Sequence, residues 1–126
     1  MSDVADRLSA AVATEKPVLA AWLFGSRATG RSGPDSDVDV GVLMETSVEW
    51  EGLLDLQGRL AGAVADAEVD LVDVSSADPI LAFEVVSGKL LYCRDRSRMA
   101  VAVSLIAREY ESAMELIKRG MRWRTE

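Results

Sequence analysis

One set of residues in this chain has the types and spacing to do chemistry. Asp37 and Asp39 flank a single valine, Asp70 sits within Val69-Asp70-Leu71, and Gly25-Ser26 closes an apolar run, with ten residues between Ser26 and Asp37. Side chains at i and i+2 of a strand share a face, so a strand through Asp37-Val38-Asp39-Val40 sets two carboxylates side by side and turns the valines to the core. A neighbouring strand carrying Asp70 adds a third. Two carboxylates about 4 Å apart repel by roughly 4 kcal/mol at an effective dielectric near 20, so such a group needs a proton or a divalent cation. Hard oxygen donors without nitrogen or sulfur partners favour magnesium, with manganese as an alternative, over zinc. Gly25-Ser26 supplies the complement: a residue without a side chain lets backbone amides approach an anion, and the serine hydroxyl adds a donor. Together these are the parts of a phosphoryl or nucleotidyl transfer site.

Composition narrows the remaining choices. The chain has 126 residues, of which 49% are hydrophobic and 28% charged, the balance of one folded domain. It contains no histidine, which excludes a Ser-His-Asp triad and any His-ligated zinc. Its one cysteine, Cys93, forms no internal disulfide and fits a reducing compartment. A net charge of −7 argues against direct nucleic-acid binding. Residues 1–93 carry six basic and sixteen acidic side chains, whereas residues 94–126 carry eight and five. No apolar run is long enough to span a membrane and the first residues are not a cationic leader, so a cytoplasmic location is expected.

The elements that must position the acids follow from periodicity. Residues 2–14 and 48–65 read as helices, and Val18 to Phe24 as a strand covered on both faces. Residues 25–36 are rich in turn formers, and Asp37 to Met44 and Glu68 to Val74 alternate as strands do. Asp78-Pro79 opens a helix as N-cap and first residue, Gly88 closes it, and Lys89 to Cys93 is a last short strand. Residues 95–123 form a long helix that outruns a domain of this size. The order predicts an α/β (or α+β) fold, a small mixed sheet flanked by helices.

Gly25 to Ser32 mimics a P-loop, but Arg31 stands in the lysine position and Gly33-Pro34 breaks the helix that must follow. Asp73 rivals Asp70, yet a regular strand turns it to the opposite face. Arg27 and Arg31 could contact phosphates or be solvated. Trp22 and Phe24 are expected in the core, Cys93 is expected to be inert, and Trp50 and Trp123 could touch a partner.

Gly25-Ser26, Asp37-Val38-Asp39-Val40 and Val69-Asp70-Leu71, with Gly88-Lys89-Leu90-Leu91-Tyr92 beyond, resemble the signature of the polymerase-beta-like nucleotidyltransferases. The run GSRATG…SDVDVGVLM is most similar to the minimal nucleotidyltransferase (MNT) antitoxins that are paired with HEPN toxins. The resemblance implies a single nucleotidyltransferase domain over residues 1–126, with a core at 15–93 and a C-terminal helix at 95–123. It implies that Gly25, Ser26 and Arg27 hold the triphosphate of ATP and that Asp37 and Asp39 bind two magnesium ions. Asp70 then completes the metal site and helps deprotonate the acceptor. In such families the acceptor can be a tyrosine of a HEPN-type RNase toxin, which is AMPylated and silenced. Many members carry arginine where this chain has Thr29. Two other functions stay open, an antitoxin that neutralises by binding alone and a small-molecule nucleotidyltransferase. The last helix could also build a homodimer or a hetero-oligomer.

Overall fold

The computed structural model describes residues 4–25, 37–64 and 68–125, with side chains described through Gly120. In chain order these form α1 (Val4–Ala13), β1 (Val18–Phe24), β2 (Val38–Met44), α2 (Trp50–Ala61), β3 (Val69–Asp73), α3 (Pro79–Val86), β4 (Lys89–Cys93) and α4 (Arg96–Thr125). The strands make one mixed sheet in the order β3-β2-β1-β4. β1 runs antiparallel to both β2 and β4, and β2 runs parallel to β3. The α/β architecture expected from the sequence is therefore the one observed. The strands read at Val18 to Phe24 and Lys89 to Cys93 keep their ends, other element ends move by up to four residues, and the helix read at 48–65 stops at Ala61, with Gly62 as its C-cap.

Every residue of β1 is buried, because helices cover both faces of the sheet at its centre. On one face α1 and α2 pack Leu8, Val12, Leu56 and Leu60 against Val38, Val40 and Val42. On the other, α3 and α4 pack Val85, Val103 and Ile106 against Trp22, Phe24 and Val74. Each fully buried Leu or Val contributes about 1.5–3 kcal/mol relative to an exposed position. Gly41 lets α3 lie directly on β2: a Cβ there would stand 2.0 Å from Val85 Cγ1. Helix α3 starts as its sequence dictates, with the Asp78 carboxylate accepting from the amides of Ile80 and Leu81, both at 3.0 Å. At the sheet edge Gln57 Oε1 accepts from the Leu71 amide at 3.1 Å, so α2 occupies a donor that an edge strand would otherwise expose.

Charged groups tie the ends of the sheet to its helices. Arg59 donates two 2.9 Å hydrogen bonds to Glu15, and Arg94 and Arg98 both donate to Glu45 after β2. Among the described residues no helix is long and apolar enough to cross a membrane.

Candidate active site

The antiparallel β1–β2 pair and the parallel β2–β3 pair bring the end of β1 and the starts of β2 and β3 to one edge of the sheet. Phe24 pairs with Asp39, so Gly25 comes immediately beside the acids. Asp39 in turn pairs with Asp70 across the parallel ladder. Val38, Val40 and Val69 point into the cluster beneath α1 and α2, so Asp39 and Asp70 stand on the opposite face, the one that α3 and α4 cover. Asp37 is exposed at the mouth of β2, Asp39 is half-buried and Asp70 is exposed. All three acids expected from the sequence thus share one edge.

Their charges are felt at Asp39. The Asp39 carboxyl is held above its ordinary value, first by burial and then by the negative charges of Asp70, Asp37 and Glu84. Among the described residues, however, no three acidic side chains close to the distances of a cation's coordination shell. The convergence is one of backbone register and charge. The donor set is all carboxylate oxygen and fits a hard divalent cation such as magnesium.

Gly25 is fixed by two constraints. Its φ is +78°, in the left-handed region, and a Cβ at this position would lie 2.4 Å from Asp39 Oδ2. The chain can therefore pass this close to the Asp39 carboxylate only as glycine. Ser26, Arg27 and Arg31, expected at the phosphates, lie outside the described residues, as does Thr29.

Other readings meet clear outcomes. Asp73 points away from Asp70, and its Oδ1 accepts from the Ser75 amide at 2.9 Å, turning the chain after β3. Trp22 and Phe24 are core residues, and Trp50 is 70% exposed. Leu54 on α2 is 45% exposed. Glu84 was not anticipated. It lies on α3 beside Val85, the residue seated on Gly41 two positions along from Asp39. Only the packing of α3 on β2 brings it there; an acid in an exposed helical position carries no local signal.

Residues 6–97 match the family model for Polymerase beta, Nucleotidyltransferase. Protein adenylyltransferase MntA of Shewanella oneidensis strain MR-1 is 36% identical over 87 residues, which is 68% of this chain and 62% of that protein. The alignment thus spans less than two thirds of that relative. The fold is also similar to a crystal structure of a toxin–antitoxin with AMP-PNP, with a TM-score of 0.71 and 25% identity over 94% of this chain and 92% of that one. A structure of tri-AMPylated Shewanella oneidensis HEPN toxin in complex with MNT antitoxin matches with a TM-score of 0.73 at 20% identity, over 97% of this chain and 99% of that one.

Proposed function

Since the chain belongs to the polymerase beta nucleotidyltransferase family, we propose that it transfers AMP from ATP to a hydroxyl group of a HEPN-type RNase toxin and acts as that toxin's antitoxin. A tyrosine is the favoured acceptor. The observation that carries this reading is the pairing of Asp39 with Asp70 beside Gly25 at one sheet edge. The MntA relative, named a protein adenylyltransferase, supports the chemistry. The structure of a related toxin–antitoxin with AMP-PNP supports ATP as donor. On this reading residues 1–126 work as a single domain in the cytoplasm, with the core at 15–93.

Asp37 and Asp39 would hold two magnesium ions, with Asp70 completing the set. When bound, these ions offset charge on the phosphate oxygens and lower the pKa of the attacking hydroxyl. The protein's own part is positional. Gly25 brings backbone close to the triphosphate, with Ser26 and Arg27 beyond it. Asp70 takes the proton of the acceptor hydroxyl as its oxygen bonds to the α-phosphorus. The bond from that phosphorus to the bridging oxygen breaks, and pyrophosphate leaves. Burial and the negative charges of Asp70, Asp37 and Glu84 disfavour the bare Asp39 carboxylate, a cost that a bound cation would offset.

Purified protein incubated with α-labelled ATP, magnesium and the cognate toxin should label a toxin tyrosine, and Asp37→Ala should not. Neutralisation that survives an Asp37→Asn/Asp39→Asn double substitution without label would instead show an antitoxin acting by occlusion.

A further inference from the structure

Glu84 is the only charged residue of α3, whose sequence is otherwise Pro-Ile-Leu-Ala-Phe before it and Val-Val after it. Packing fixes where that charge stands. Val85 is seated on Gly41, two residues along β2 from Asp39, where a Cβ would come within 2.0 Å of Val85 Cγ1. One turn beyond Glu84, Gly88 is pressed onto the end of β1: a Cβ there would lie 2.4 Å from the Leu23 carbonyl oxygen and 3.1 Å from Phe24 Cβ. Gly25 follows Phe24 directly, so the two close contacts bracket the edge where the acids meet. The rotation of α3 is fixed as well. Leu81 and Val85 enter the core, Pro79 borders α4, and Phe83 stacks on Tyr110 of α4 with ring centroids 4.1 Å apart. At about 100° per residue Glu84 falls on the remaining flank, where it is exposed.

We infer that Glu84 is a fourth acid of the divalent-cation site, one that strengthens cation binding through space from outside the set Asp37, Asp39 and Asp70. The inference rests on the metal-dependent reading given above. Nothing in the fold calls for an acid here. Among the described residues Glu84 has neither a hydrogen bond nor an ion pair. It stands in the last turn of α3, where a negative charge opposes the helix dipole. Its charge nonetheless reaches the acids: burial, then Asp70, Asp37 and Glu84 are what raise the Asp39 carboxyl. A charge that opposes the bare carboxylate attracts a cation held on it. A divalent ion feels that charge twice as strongly as a unit charge at the same distance. Glu84 acts across solvent, so salt screens its effect.

Manganese alone, titrated into the full chain at low ionic strength and read by water-proton relaxation, should bind the wild type and not the Asp37→Ala/Asp39→Ala protein. Glu84→Gln should raise the dissociation constant about three- to tenfold, and Glu84→Lys by about the same factor again. Both shifts should shrink in about 0.5 M salt. The metal-free melting temperature of Glu84→Gln should match the wild type, since the side chain is exposed and unpartnered. Glu51→Gln removes the same charge in the first turn of α2, beyond the far end of β2, and should leave manganese binding unchanged. Wild-type affinity in Glu84→Gln, a Glu84→Lys protein no weaker than Glu84→Gln, or an equal loss in Glu51→Gln each overturns the inference and leaves the proposed function standing. A wild type that binds no manganese removes the metal site, and the inference with it. None of these readouts depends on AMP transfer.

Discussion

Gly25→Ala isolates the contact on which the site is built. Two costs are expected. Holding an L-residue at φ +78° costs about 1–2 kcal/mol. The new Cβ would also stand 2.4 Å from Asp39 Oδ2, so the carboxylate or the turn must move, at about 1–3 kcal/mol for such crowding. The sum is about 2–5 kcal/mol, or roughly 3–6 °C of melting temperature per kcal/mol in a chain of this size. Asp39→Ala removes the clashing oxygen and leaves the backbone unchanged. In that background Gly25→Ala should cost only the backbone share, so a double-mutant cycle by thermal or urea unfolding should yield a coupling of about 1–3 kcal/mol. The same displacement of Asp39 should lower AMP transfer by about a hundredfold in the single variant. Equal costs of Gly25→Ala in both backgrounds would refute the contact, and full activity in Gly25→Ala would refute its place in the site.

Other outcomes follow from the same geometry. The folded state holds the Asp39 proton more tightly than the unfolded chain does, so the residue opposes folding only as the pH rises above its ordinary value of 3.8. Asp39→Asn should match wild-type stability below that pH, gain on it up to the raised native value, and keep a constant lead above; a lead that shrinks with rising pH would contradict this. Millimolar magnesium with ATP should raise the wild-type melting temperature, and Asp37→Ala should abolish the shift at little cost to the metal-free protein. An unchanged shift would remove Asp37 from the ligand set. Asp78→Ala should cost about 0.5–2 kcal/mol by denaturant melt, because two backbone amides lose their acceptor. It should leave magnesium binding intact.

What the chain makes locally, its sequence discloses. The Asp37-Val38-Asp39 alternation fixes which side chains share a face, since strand geometry has a period of two. Asp78-Pro79 carries its own helix start, and the all-apolar run from Val18 to Phe24 marks a strand that must be covered on both sides. Parity likewise separates Asp70 from Asp73. Whether Asp70 stands beside Asp39 was conditional on strand order, and only the parallel pairing of β2 with β3 settled it. The same holds for the 2.4 Å approach of Gly25 to Asp39, where glycine supplies permission and the β1–β2 register supplies the neighbour. Glu84 reaches the site because Gly41 admits Val85, a contact between residues far apart in the chain. Periodicity and capping are encoded by near neighbours, so residue order alone fixes them. Strand order, close approach and the charge felt by Asp39 arise between distant segments, and so belong to the packed chain.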